Sequence, residues 1–96
     1  MTLIRVVRMR FRADAVEDFR ALFAERKATI ASFDGCQHLG LWQDAADLTV
    51  FCTYSHWDSE AHLDRYRFSE FFKDTWMRTR ALFADKAVAW SAIRVD

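Results

Sequence analysis

A β-α-β-β-α-β order in an α+β fold is predicted by three observations. Apolar and polar residues alternate with period two at both ends of the chain. Two segments with helical spacing lie between them. A pair of β-rich runs separated by a short polar turn occupies the middle.

The elements follow in order. Leu3 to Phe11 alternates, with Leu3, Arg5, Val7, Met9 and Phe11 on one face and Ile4, Val6, Arg8 and Arg10 on the other, so it reads as a strand. Asp14 is placed as a helix N-cap, with Glu17 three residues later completing a capping box. Val16, Phe19, Phe23 and Ile30 then recur at helical spacing to about Ser32, and Asp34-Gly35 ends the helix, with Gly35 suited to the left-handed C′ position. A second strand, Cys36 to Gln43, and a third, Leu48 to Trp57, flank Asp44-Ala45-Ala46-Asp47 and are expected to form a hairpin that pairs Gln43 with Leu48. Asp58 or Ser59 caps a short helix through about Tyr66. A longer helix, Ser69 to Phe83, carries Phe72, Trp76, Thr79 and Phe83 on one side, and Ala87 to Val95 closes the chain as a strand. This is the ferredoxin-like pattern: a four-stranded antiparallel sheet with its helices on one face. Residues 1–96 are read as one domain, since no linker, repeat or low-complexity tract interrupts them.

Composition narrows the function. The 14 basic and 14 acidic residues cancel, and the arginines at 5, 8, 10 and 12 are followed at once by Asp14, Glu17 and Asp18, so no basic field suited to nucleic acid is built. Apolar runs are too short to span a bilayer, and Arg5 and Arg8 interrupt any signal-peptide core, so a reducing cytoplasm is the expected compartment. Cys36 and Cys52 match no metal motif and read as small buried hydrophobes. Two glycines cannot build a phosphate-cradling loop, so no nucleotide cofactor is expected, and no two histidines stand four apart on a helix, so no metal is expected.

Nine Phe, four Trp and two Tyr are too many rings for so small an interior, which points to a ligand cavity, a subunit interface, or both. In the expected register Cys36, His38, Gly40, Trp42, Phe51, Thr53 and Trp57 share one sheet face, and Leu39, Leu41, Leu48, Val50, Cys52, Tyr54 and His56 the other. Helices cover one face only. A second copy packed sheet to sheet is the economical cover for the other, so a homodimer is expected.

Phe33-Asp34-Gly35-Cys36, Trp57-Asp58-Ser59-Glu60, then Leu63, Ser69 and Phe72, in that order and spacing, resemble the antibiotic biosynthesis monooxygenase family of dimeric α/β barrels. The segments Tyr66 to Phe72, Thr75-Trp76, Leu82 to Lys86 and Ala89-Trp90-Ser91 resemble one bacterial subgroup of it. Many members carry a histidine nine residues after the strand-exit Trp, where this chain has Tyr66. The haem-degrading branch uses an Asn on its first strand, a Trp in place of Tyr66 and a His in place of Trp76; this chain has no Asn at all, so haem degradation is not expected.

The resemblance implies a monooxygenase that needs no metal or flavin and acts on a small aromatic or quinol-type metabolite. Such chemistry asks for a dry aromatic pocket, a proton acceptor and groups that hold an anion. Tyr66, His38 and Arg8 are the candidate catalytic residues, and Tyr54, Phe72 and Trp76 the candidate substrate contacts. Against these stand structural readings: His38 as a hydrogen-bonded sheet histidine, His56 exposed at a strand end, His62 on a solvated helix face, Trp57 as packing, and Arg8 pairing across a dimer. Two other functions fit the same residues: a non-catalytic dimeric binding module for a hydrophobic molecule, and an isomerase of a small carbonyl compound.

Overall fold

The computed structural model describes residues 2–96. Strand β1 (Leu3–Arg10) leads through a single 3₁₀ turn at Ala13–Ala15 into helix α1 (Val16–Ala31). Strands β2 (Cys36–Gln43) and β3 (Val50–Trp57) follow, then helices α2 (Glu60–Arg67) and α3 (Glu70–Arg80), and strand β4 (Val88–Ile93). The sheet is antiparallel in the order β2-β3-β1-β4, which is the ferredoxin-like arrangement expected from the sequence.

The start of α1 departs from expectation. Asp14 caps nothing: the first turn is 3₁₀, the N-cap position falls to Ala15 without a side-chain bond, and the Asp14 carboxylate faces Arg12 at 3.6 Å. The other two helices begin as the sequence indicates. Ser59 accepts from the His62 amide and Ser69 from the Phe72 amide, each satisfying one orphan donor of a helix N-terminus.

The hairpin register also differs. Asp44 Oδ1 accepts from the amides of Ala46 and Asp47, and Asp47 Oδ1 from both the amide and the hydroxyl of Thr49. These side-chain bonds hold residues 44–49 as a turn, and hold both carboxyls below the usual aspartate range. Leu48 therefore sits exposed outside the strand, and Gln43 pairs with Phe51 instead of Leu48. The three-residue difference is odd, so it turns β2 over relative to β3. Leu39 and Leu41 now share a face with Phe51, Thr53, Ser55 and Trp57, while His38 and Trp42 share the other with Cys52, Tyr54 and His56.

A core forms at one end of the layer between sheet and helices, where Met9, Phe11, Phe19 and Phe51 are buried together. Phe11 stacks on Phe19 with centroids 4.1 Å apart, and an isolated bridge to Phe83 ties the strand end to the loop after α3. At the other end Trp57 is fully buried. Its indole N–H donates to Ser55 Oγ at 3.0 Å, and its face stacks on Tyr66 at 5.2 Å. From Tyr66 the rings continue through Phe72 (5.0 Å), Trp76 (6.0 Å), Phe83 (5.6 Å) and Phe11 (5.4 Å), so one aromatic chain joins both ends. Each such pair adds about 0.5–1.5 kcal/mol beyond its burial.

Gly35 holds the turn between α1 and β2. It has φ +86° and sits third in Phe33-Asp34-Gly35-Cys36, closed by the Cys36 amide on the Phe33 carbonyl at 3.0 Å. It is not the residue next to the helix cap Ser32, as expected from the sequence, but the third residue of a tight turn that follows it. His62 packs over it, mostly sheltered from water with Nδ1 2.7 Å from Ser59 Oγ, rather than lying on a solvated face. A Cβ at position 35 would run into the His62 ring. Gly35→Ala is expected to lose roughly 2–4 kcal/mol, the sum of left-handed strain and overpacking. Urea denaturation measures this, and the loss should shrink in a His62→Ala background.

Candidate functional site

The two packed ends leave the middle of the layer hollow. A cavity of about 330 Å³ lies there, at the small end of the ~300–1,000 Å³ typical of small-molecule pockets. Val7, Met9, Leu39, Thr53 and Trp57 form much of its floor on the sheet. Residues from all three helices roof it, among them Phe19 and Phe23 of α1, Leu63 and Tyr66 of α2, and Phe72 and Trp76 of α3. The part of the aromatic chain from Trp57 through Tyr66 and Phe72 to Trp76 is thus one wall of the cavity. Alternation places these strand residues inward because Leu3, Arg5, Val7 and Met9 fall on one side of β1, opposite Trp57, Ser55, Thr53 and Phe51 of β3.

The six residues singled out in the sequence are divided by the sheet. Tyr66, Phe72 and Trp76 line the cavity together. Arg8, His38 and Tyr54 do not. Arg8 and Tyr54 have the opposite parity to Met9 and Thr53, and the corrected hairpin register puts His38 beside Tyr54 on the outer face. There Tyr54 Oη lies 2.6 Å from His56 Nε2, Trp42 stacks on Tyr54 at 4.8 Å, and the His38 ring is 5.5 Å from that of His56. His56 is therefore hydrogen-bonded and half-buried rather than simply exposed. The single constellation of Tyr66, His38 and Arg8 expected from the sequence is not assembled within one chain.

Polar groups that the sequence reading passed over take their place. Arg5, Arg26 and Arg67 line the cavity, with Ser55, Thr53, Thr75 and Thr79. The signal for Arg5 lay in the alternation of β1, where it shares parity with Val7 and Met9; Arg26 and Arg67 carried no comparable mark. Arg26 is fixed by Asp74 and Thr75, both at 2.9 Å, and the hydrogen bond and ion pair hold the Asp74 carboxyl below its usual range. Arg67 faces Asp64 at 3.6 Å. Arg5 has no carboxylate partner among the described residues and donates only to Ser91 Oγ at 3.1 Å. Burial, and then the nearby Arg67 charge, lowers its pKa, with Asp64 opposing. Among the described residues lining the cavity there is no carboxylate, imidazole or thiol.

Tyr66 carries the largest perturbation. Burial pushes its phenol well above the ordinary tyrosine range, and Cys36 adds to the shift. Its hydroxyl has no hydrogen-bond partner among the described residues. At any working pH it is a neutral donor in an aromatic cavity, suited to hold a developing oxyanion and unsuited to act as a base. Cys36 and Cys52 are half-buried free thiols, both raised by desolvation and so weakly nucleophilic. No group of three His, Cys, Asp or Glu side chains among the described residues is placed to hold a metal ion, and none of the described helices is long and apolar enough to cross a membrane.

Fold and cavity together define a small α+β domain that encloses a ligand-sized aromatic site between its sheet and its helices. Residues 2–76 match the model of the antibiotic biosynthesis monooxygenase family, and the chain belongs to that family. No curated protein matches it. Among solved structures, it is similar to Rv0793 from Mycobacterium tuberculosis, with TM-score 0.91 and 20% identity over 100% of this chain and 97% of that one. It is similar to a conserved protein from Methanosarcina mazei Go1, with TM-score 0.92 and 16% identity over 96% and 91% of the two chains. It is also similar to a variant of SnoaB, a cofactor-independent oxygenase from Streptomyces nogalater, with TM-score 0.89 and 17% identity over 99% and 94%. At these identities the likeness is one of fold.

The raised Tyr66 pKa has a consequence for stability. Below the ordinary tyrosine pKa near 10 the phenol is protonated folded and unfolded; above it only the unfolded chain releases the proton. The unfolded state then binds fewer protons, so stability falls as pH rises through and beyond that value. Tyr66→Phe is expected to remove this alkaline loss while changing stability little at pH 7. Urea midpoints of the two proteins between pH 7 and the alkaline limit check it.

Proposed function

We propose that the protein is a cofactor-independent monooxygenase that oxidises a small aromatic or quinol-type metabolite inside the cavity between sheet and helices. The observation that carries this reading is the cavity itself: ring-walled and donor-rich, with a half-buried neutral Tyr66 in a member of this family. A substrate with an acidic ring CH₂ beside a phenol or carbonyl can supply every electron the reaction needs. It loses a proton to give a delocalised anion, which reduces O₂. One oxygen atom replaces the two hydrogens of the CH₂ as a carbonyl, and the other leaves as water.

In this reading the rings of Phe72 and Trp76 hold the substrate plane, and Tyr66 donates to the oxygen on which negative charge develops. The nearby guanidiniums favour the anion, and no carboxylate of the cavity lining opposes it. With no side-chain base among the described lining residues, the proton leaves to water or to a second oxygen of the substrate. An oxygen electrode with a panel of anthrones and quinols is expected to show protein-dependent uptake of one O₂ per product. Tyr66→Phe should reduce turnover on the order of a hundredfold, and His38→Ala should leave it unchanged. Absence of uptake across the panel overturns the reading. Ligand stabilisation without turnover would then favour a binding module, and turnover without oxygen an isomerase.

The same proposal includes a homodimer through the outer sheet face. Trp42, Trp90 and Val88 are large apolar residues left exposed there, on the side opposite the helices. Light scattering is expected to give twice the 11.3 kDa chain mass, and Trp42→Glu should shift the protein towards monomer. A monodisperse monomer at micromolar concentration contradicts it.

A further inference from the structure

The inner face of the sheet carries one charged side chain, and it lies in a row with two serines. Across β3, β1 and β4, Ser55 stands opposite Arg5 and Arg5 opposite Ser91. The neighbouring row holds Thr53, Val7 and Ala89, and the next holds Phe51 and Met9. Arg5 and Ser55 both line the cavity. Ser55 Oγ is buried and already accepts from Trp57, so its own proton is left to donate.

The charges around this row do not balance. Asp74 is taken by Arg26, and Asp64 by Arg67. The Arg5 guanidinium is left with a neutral serine as its hydrogen-bond partner and a second guanidinium close enough to oppose its charge. Partly desolvated cations are ordinarily paired. The uncommitted polar groups here, Arg5, Thr53, Ser55 and Tyr66, can all donate a hydrogen bond, one is a cation and none is an anion, and the complement of such a patch in an aromatic cavity is an aromatic anion.

We infer that the cavity takes an aromatic carboxylate, its ring against Phe72 and Trp76 and its carboxylate held by Arg5 and Ser55. This deepens the oxygenase reading by naming the substrate class, and it rests on that reading only in making this ligand the substrate. Arg5 is then the specificity residue of the site. It acts in binding whether or not oxygen is present.

The test is anaerobic titration calorimetry with 2-naphthoate and its neutral methyl ester. The wild-type protein is expected to bind the carboxylate at least about tenfold more tightly than the ester, the order one charge-assisted hydrogen bond supplies. High salt should reduce the difference. Arg5→Gln should erase the preference, chiefly by weakening carboxylate binding, and Arg5→Lys should retain part of it. Should Arg5→Gln fail to fold, the wild-type ratio and its salt dependence decide. Equal affinities, a ratio that survives Arg5→Gln, or binding of neither probe overturns the inference. Oxygen uptake is scored separately. A quinol oxidised by a protein indifferent to the carboxylate removes this subsite and keeps the oxygenase; selective carboxylate binding without any uptake does the reverse.

Discussion

The indole of Trp57 is the constraint on which the rest of the molecule depends. It has no access to solvent and its one polar atom is satisfied by Ser55, a residue two positions away on the same inward face. A large ring buried at a strand end cannot be accommodated unless helix α2 is held off the sheet by at least a ring's thickness. Tyr66, stacked on that indole, sets this spacing. Phe11 and Phe19 do the same at the opposite end. With both ends propped by rings, the helices cannot close over the smaller residues between them, and the cavity follows from that. A void of this size in a small domain costs dispersion contacts, which is tolerable because ring-to-ring contacts continue around its wall.

The two faces of the sheet are chemically distinct. The inner face is mostly apolar with one charged side chain, Arg5, and unlike Arg26 and Arg67 on the helices above it that guanidinium has no carboxylate partner among the described residues. The outer face carries Trp42, Tyr54, His38 and His56 in mutual ring contact. Both are aromatic, for different reasons. Rings inside prop the layers and offer a surface to a planar ligand. Rings outside, in a single chain, cover nothing. The aromatic excess of the composition is therefore divided between an interior site and an external surface, and neither alone accounts for it.

Much of the fold was legible. The alternation of Leu3 to Arg10, the serine caps of α2 and α3 and the Asp34-Gly35 turn place the elements to within a few residues. The site was legible in part. Phe72 and Trp76 were legible because residues four apart fall on one side of α3, and Tyr66 because it stands where the resembled family carries a histidine. Arg5 was visible by parity but overlooked in favour of Arg8, which lies on the other side of the sheet. His38 was drawn towards the cavity by an assumed tight hairpin. Asp44 and Asp47 lengthen that turn through bonds to backbone amides, a local competition that spacing alone did not reveal.

What the sequence by itself determined was the order of elements and the sidedness of each strand and helix, because those depend on periods of 2 and 3.6 residues within one segment. What only the tertiary structure decided was which sides face each other. Register between β2 and β3, the spacing of helix from sheet, and the company Arg5 keeps are set by contacts between residues far apart in the chain. A shift of three residues in one hairpin moves His38 from the cavity side to the outer surface without altering any local preference of β2. The chemistry of the site depends on that shift, and so it could be read only after the chain was folded.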